Sequence, residues 1–203
     1  MTETLISLFV LMSFSSIPAI DELQGGDFSA VAMDIETGEF LLGTGSGTYP
    51  LASADVFFLA FNADMLQSGQ IDVPREPDME ALEAWITEKG LMDTEFFPSE
   101  AVRCSTSAED VARALVMINS GRHLPFVRRA LKDFSIPERV EETFEGWGIL
   151  GLADSGDDHL AFALIAVSPE ENKMAAVLLS RSLCCPGKAE LALTLLLEAT
   201  EGL

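Results

Sequence analysis

Residues 34–68 read DIETGEFLLGTGSGTYPLASADVFFLAFNADMLQS, and this stretch decides the predicted fold. Apolar residues alternate with smaller or polar ones just before and after residue 38, and this alternation is the period of half-buried strands. The apolar positions are Val31, Met33, Ile35, Phe40 and Leu42. Residues 36–39, with Gly38 at their centre, predict the tight turn that joins the two strands in a hairpin.

The glycine-rich run at 43–47 cannot continue a strand at useful stability, so the chain is expected to leave the sheet there. The helix predicted next, residues 54–67, is apolar on more than one face, which indicates a central, buried helix. Ser68-Gly69 ends it. Ser53 is therefore delivered at the amino-terminal end of a buried helix.

Further elements follow from periodicity and capping signals. Residues 79–90 and 108–120 predict amphipathic helices, the second with Ser107 as N-cap and Asp110 at its third position in a reciprocal capping arrangement. Another helix is predicted at 126–134. Period-two segments predict three late strands, at residues 147–153, 159–167 and 174–180. Apolar stripes predict a helix near each end of the chain, at residues 2–23 and 188–201.

The order of these elements, with Pro-Leu-Ala-Ser before the buried helix, resembles the serine β-lactamase and penicillin-binding protein superfamily, in particular class A-like β-lactamases. Gly-Leu-Met-Asp-Thr at 90–94 and Ser-Thr-Ser-Ala-Glu-Asp at 105–110 are similar to turns and helix starts of that family. The resemblance covers the chain from Leu5 to Leu203. It implies an α/β (α+β) fold, an antiparallel sheet flanked by the two terminal helices with a reduced helical lobe.

A single domain over residues 1–203 is therefore expected, with a sheet lobe from 1–50 and 146–203 and a helical lobe from 51–145. In the resembling family a nucleophilic serine is followed one turn later by a lysine. Ser53 falls on the serine position, but Val56 stands where the lysine is expected. A serine hydroxyl needs an adjacent base or positive charge to become a nucleophile. The sequence leaves Ser53 either as a helix N-cap or as a nucleophile of altered mechanism.

The family's Lys-Thr-Gly triplet aligns with Asp154-Ser155-Gly156, and the Ser-Asp-Asn triplet occurs nowhere in the chain. A carboxylate at 154 would repel an acidic substrate, so a neutral or cationic acyl ligand is the small molecule that this cleft would accept. His159 begins the next predicted strand, and a Ser53–His159 triad has no positive support from spacing. We predict Asp154, Ser155, Gly156 and His159 as binding residues, with no metal and no cofactor.

The chain carries 33 acidic and 12 basic residues, for a net charge of −21. Residues 1–100 hold 18 of the acidic residues and only two basic ones. This excess of negative charge disfavours binding to nucleic acid or to an anionic membrane. Three explanations of the acidic surface are left open: solubility, adaptation to a high-salt host, and binding of a basic protein partner. The small basic neighbourhood at 122–139 is interpreted as surface salt bridging rather than an anion site.

Three cysteines, Cys104, Cys184 and Cys185, give no disulfide framework, and reduced thiols in a cytoplasmic protein are the simplest interpretation. Residues 1–19 lack the positive start of a secretory signal, although an atypical signal and export remain the alternative. Ser13, Ser15 and Ser16 interrupt the apolar run, which argues against a membrane span.

Three hypotheses of function result. The favoured one is a non-catalytic binding or structural protein, a pseudoenzyme that engages a protein through its acidic surface or a small acyl ligand in its cleft. The second is a serine hydrolase of altered mechanism that uses Ser53. The third is a roadblock-like or profilin-like regulatory domain.

Overall fold

A computed structural model of the chain describes residues 28–44, 47–51, 54–69, 78–97, 103–120, 132–133, 145–155, 160–169 and 171–181. The helices among them are α1 (Asp55–Gln67), α2 (Met79–Lys89) and α3 (Ala108–Ser120). The strands are β1 (Phe28–Asp34), β2 (Phe40–Thr44), β3 (Tyr49–Leu51), β4 (Glu95–Phe97), β5 (Arg103–Thr106), β6 (Lys132–Asp133), β7 (Gly148–Ser155), β8 (Leu160–Val167) and β9 (Lys173–Ser180).

Six strands form an antiparallel sheet in the order β2-β1-β9-β8-β7-β6. β1 pairs over its whole length with β9, from Phe28 opposite Ser180 to Asp34 opposite Met174. The first described strand thus lies beside the last one at the centre of the sheet. The mixed α/β architecture with an antiparallel sheet, predicted from the sequence, is confirmed.

The hairpin between β1 and β2 forms at the predicted turn. The Asp34 carboxylate accepts hydrogen bonds from the N–H groups of Glu36 and Thr37 at 2.8 Å and 2.7 Å. These bonds lower the pKa of Asp34. Gly38 has a φ of 72°, a left-handed conformation that costs glycine little, and its N–H donates to the Asp34 carbonyl. The turn therefore satisfies its own backbone groups.

Helix α1 is the central helix that its apolar composition predicts. Its buried residues lie around most of its circumference: Val56, Phe57, Leu59, Ala60, Phe61 and Ala63. They share one hydrophobic core with α2, α3 and one face of the large sheet. Asp64 links α1 to α2, because its carboxylate accepts from Trp85 Nε1 at 2.9 Å and pairs with Lys89 Nζ at 2.8 Å.

The other face of the large sheet is also buried. Ala30, Ala32 and Leu178 form a second, smaller cluster there, and Leu164 and Ala176 are likewise buried. The two predicted terminal helices lie outside the described residues, so their packing on this face stays a prediction. No helix in the described part of the chain is long and apolar enough to cross a membrane.

A second sheet lies partly within the region predicted as helical, which contains two of its three strands. Strands β3, β5 and β4 form it, in that order, and each is only three or four residues long. None of them was predicted. The prediction of a helix at residues 126–134 is wrong at its end, because Lys132 and Asp133 form β6 and pair with Gly151 and Leu150 of β7. Pairing with a long strand has outweighed the local helical pattern.

Gly151 on β7 lies so close to its neighbour β8 that a side chain would not fit. A Cβ atom there would overlap Leu164 Cδ2 and lie 3.1 Å from the Ala163 carbonyl oxygen. We expect Gly151→Ala to lower the free energy of unfolding by about 1–3 kcal/mol, the usual cost of overpacking a core. Urea denaturation followed by tryptophan fluorescence measures it.

Gly148 on the same strand provides the matched control, because a Cβ there meets nothing within 4 Å. Gly148→Ala should leave stability unchanged or raise it slightly, since alanine reduces the freedom of the unfolded chain. Equal effects of the two substitutions would contradict the close approach of β7 and β8 at Gly151.

Candidate functional site

The predicted nucleophile position lies between β3 and α1. Ser53 itself is outside the described residues, but both flanks are described: Leu51 ends β3 and Ala54 precedes α1, and both are buried. The Ser53 position therefore lies in the chain between the end of the short strand β3 and the start of the central helix. The polypeptide has the strand-to-helix connection there that the resemblance implies.

The N-cap position of α1 is Ala54, whose side chain makes no capping hydrogen bond. The N–H groups of Phe57 and Phe58 donate to the Ala54 carbonyl at 3.0 Å and 3.1 Å. The interpretation of Ser53 as the N-cap residue is therefore wrong by one position. Ala54 itself is buried at the start of the helix.

Val56 occupies the position where the resembling family has its lysine. Its side chain is 4% exposed and belongs to the main hydrophobic core. Ala54, two residues before it, and Phe57, directly after it, are also buried in that core. An unpaired ammonium group at this place would lose its hydration, so the surroundings of position 56 favour an apolar side chain.

The aligned triplet at 154–156 lies at the end of β7. Asp154 pairs with Ala161 of β8, and Ser155 pairs with Leu160. The strand thus runs two residues further than predicted, and Asp154 and Ser155 belong to it rather than to the joint that follows. Gly156 and His159 fall between the paired residues Ser155 and Leu160 and lie outside the described residues.

The register of the sheet shows which strand ends lie together. Leu160 is opposite Ser155 on one side and opposite Ser180 on the other. The ends of β7 and β9 therefore lie in one line across β8, about 10 Å apart at the usual spacing of strands. Asp154 and Ser155 share this end of the sheet with Arg181, the residue after β9.

Arg181 connects this end of the sheet to the segment that leads to Ser53. Its Nη2 donates to the Thr48 carbonyl oxygen at 2.7 Å, and its guanidinium carbon lies 5.6 Å from the centroid of the Tyr49 ring. Thr48 and Tyr49 enter β3, which ends two residues before Ser53. The structure thus brings the entry to the Ser53 position and the Asp154–Ser155 strand end to the same side of the molecule.

Sequence reasoning missed Arg181. The available signal was a single cation directly after an apolar strand in a strongly acidic chain. Arg181 contacts a backbone carbonyl and an aromatic ring, and the pattern of charges in the sequence does not predict contacts of this kind. We assign Arg181 a positioning role at the site, because it fixes the path of the chain before β3.

A buried polar cluster connects the two other stretches that carry the resemblance. Asp110 is 3% exposed, and its Oδ2 accepts from the Asp93 N–H and from Thr94 Oγ1, each at 2.9 Å. Thr94 Oγ1 also lies 2.8 Å from Thr106 Oγ1. Burial raises the pKa of Asp110, and the bonds from Thr94 and Asp93 oppose that rise.

The N-cap prediction for α3 is half confirmed by this cluster. Ser107 Oγ accepts from the Asp110 N–H at 3.2 Å, as an N-cap serine does. The Asp110 carboxylate, however, binds the turn at 93–94 instead of returning to the start of its own helix. The cluster therefore fastens the turn after α2 to the start of α3, and its role is structural.

No group of three or more potential metal ligands occurs among the residues that the structure describes. The arrangement at the sheet end offers strand backbone, one aspartate position and a positioned arginine. Such a surface can bind a ligand by backbone hydrogen bonds and charge.

The fold is similar to that of solved class A β-lactamases. An ancestral class A β-lactamase has a TM-score of 0.64 at 12% identity, with 90% of this chain and 97% of that chain covered. The chromosome-encoded β-lactamase of Vibrio parahaemolyticus has a TM-score of 0.64 at 11% identity, with 92% and 98% covered. The β-lactamase from Sphaerobacter thermophilus has a TM-score of 0.60 at 13% identity, with 90% and 92% covered.

At this identity the likeness establishes the serine β-lactamase-like fold and leaves activity open. The hypothesis of a roadblock-like or profilin-like domain is set aside, because the architecture is the β-lactamase-like one. No protein-family model matches the chain, and no curated protein matches it in sequence.

Proposed function

We propose that this protein is a non-catalytic binding protein built on a serine β-lactamase-like fold. The observation that carries the proposal is Val56, an apolar side chain packed in the core where a serine nucleophile would need its base. Helix α1 therefore offers Ser53 no proton acceptor one turn away. The Asp154 position supports the same conclusion, since an aspartate replaces the cation that would attract an acidic substrate.

The binding function uses the parts of the site that remain. Under this proposal the end of β7 and the segment held by Arg181 border the cleft, which accepts a neutral or cationic acyl compound. An anionic compound is disfavoured because the chain carries a net charge of −21 and Asp154 stands at the strand end.

Covalent labelling tests the proposal directly. The protein is incubated with a fluorescent penicillin and, separately, with a fluorophosphonate, and its intact mass is measured. We expect no adduct with either reagent, because Val56 offers the Ser53 hydroxyl no base one turn away. A penicillin-binding protein labelled with the penicillin and a serine esterase labelled with the fluorophosphonate show that both reagents are active.

The variant Ser53→Ala is the matched control for this experiment. An adduct on the wild-type protein that is absent from Ser53→Ala would overturn the proposal in favour of a serine hydrolase of altered mechanism. An adduct that persists in Ser53→Ala would also overturn it and would place the nucleophile elsewhere.

A further inference from the structure

Two large apolar side chains are exposed on segments that both approach Arg113. Phe40, at the start of the edge strand β2, is 44% exposed, and Met92, in the turn after α2, is 73% exposed. Arg113 of α3 lies between their segments, with its guanidinium carbon 5.9 Å from the Phe40 ring centroid and Nη1 3.4 Å from the Gly90 carbonyl oxygen. We name Phe40, Met92 and Arg113 the edge patch.

The position of the edge patch follows from the sheet register. Phe40 pairs with Met33, a buried residue on the face of the sheet that carries the helices. Phe40 therefore points to the same side, next to α3, but at the outermost strand where no further described strand covers it. Exposed phenylalanine and methionine side chains beside a half-buried arginine have the composition enriched in protein interfaces.

Each member of the edge patch has an acidic residue close to it in sequence. These acidic residues are exposed: Glu39 precedes Phe40, Asp93 follows Met92, and Glu109 lies one helical turn before Arg113. We name these three residues the acidic rim. An apolar centre within a charged rim is the usual anatomy of a binding surface, and the sign of the rim selects the partner.

We propose that the edge patch binds a basic, amphipathic segment of a partner protein. Apolar side chains of that segment contact Phe40 and Met92, and its lysine or arginine side chains face the acidic rim. A second copy of this chain is disfavoured as the occupant, because two acidic rims and two net charges of −21 would repel each other. The edge patch lies on β2 and the turn after α2 rather than at the end of β7, so this proposal goes beyond the binding function proposed above.

A synthetic peptide of alternating lysine and leucine serves as the probe, and one of alternating lysine and serine serves as its charge-matched control. Affinities are measured by isothermal titration calorimetry at two salt concentrations. We expect Phe40→Ser/Met92→Ser to weaken binding of the lysine–leucine peptide at least tenfold and to leave binding of the control peptide unchanged. Glu39→Gln/Asp93→Asn/Glu109→Gln should weaken binding of both peptides, mostly at low salt.

Phe97→Ser is the matched control variant, because Phe97 is 46% exposed but belongs to the three-stranded sheet. Equal loss of affinity in Phe97→Ser and in the double variant would overturn the proposal. Should Phe40→Ser unfold the protein, Met92→Ser alone retains the test. A concentration-dependent dimer that the double variant abolishes would also overturn it, because the occupant would then be a second copy.

Failure of this proposal is distinguishable from failure of the proposed function. Labelling of Ser53 by either covalent reagent would overturn the non-catalytic function without changing peptide affinity. Conversely, unchanged peptide binding in the double variant would overturn the edge patch while leaving Ser53 unlabelled.

Discussion

Replacement of Val56 by lysine should destabilise the protein strongly, even though it restores the spacing of a serine and a lysine one turn apart. Position 56 is 4% exposed within the main core. A lysine there buries an ammonium group without a carboxylate partner, which costs about 4 kcal/mol. Urea denaturation at pH 7, followed by tryptophan fluorescence, should show a correspondingly lower free energy of unfolding.

Val56→Met is the matched control, because methionine is similarly long but uncharged and should cost only about 1–2 kcal/mol of overpacking. The pH dependence separates charge from volume. Burial lowers the pKa of a lysine, so the unfolded state binds more protons than the folded state below about pH 10.4, and the stability of Val56→Lys should rise with pH toward that value. Equal stability of the two variants would contradict the burial of position 56.

The resemblance involves two kinds of position: those that stabilise the fold and those that would perform chemistry. The turn at 90–94 and the start of α3, which carry part of the resemblance, are joined by hydrogen bonds to Asp110, so both stabilise the fold. Under the proposed function, the positions that the resemblance aligns with reactive lysines carry valine at 56 and aspartate at 154. A fold can persist when its packing residues persist, whatever happens to the reactive ones.

Elements with strong local signals were predicted well. Helix α3 has the predicted bounds and buries Val111, Leu115 and Ile118. It could be predicted because its N-cap and its apolar stripe depend on residues that are close in sequence. Helix α2 likewise ends at Gly90, whose φ of 72° is the left-handed conformation of a glycine C-cap. The three late strands were found within two residues of their ends.

Elements that depend on distant partners were missed. β3, β4 and β5 have three or four residues each, too few to show a period, and they exist because they pair with one another. β6 was predicted as helix for the same reason. At the candidate site, the strand was predicted to end at residue 153 and ends at Ser155 instead, and Arg181 could not be predicted, since its partner Thr48 is 133 residues away.

Asp110→Ala should produce the second large effect, about 3 kcal/mol of lost stability. The substitution leaves two donors at a buried site without their acceptor, the Asp93 N–H and the Thr94 hydroxyl. Asp110→Asn should cost much less, because the amide oxygen still accepts. Chemical denaturation of the three proteins at pH 7 measures the difference.

The cluster also predicts a double-mutant result. Thr94→Val removes the hydroxyl that bonds to Asp110 and lies beside Thr106. Because the two side chains share a hydrogen bond, the combined cost of Asp110→Ala and Thr94→Val should be less than the sum of the separate costs by about 1 kcal/mol or more. Additive costs would show that the bond contributes nothing to stability.

The charge of Asp110 makes its contribution depend on pH, and the sign follows from the direction of the pKa shift. Burial raises the pKa in the folded state above the value of the unfolded chain, so the folded state holds its proton to higher pH. The contribution of Asp110 is most favourable below the unfolded pKa of about 3.9 and declines as pH rises through the folded pKa. Asp110→Asn carries no titrating group, so its stability relative to wild type should increase as pH rises from 4 to 7. A relative stability that decreases over this range would mean that the hydrogen bonds, rather than burial, determine the protonation of Asp110 in the folded protein.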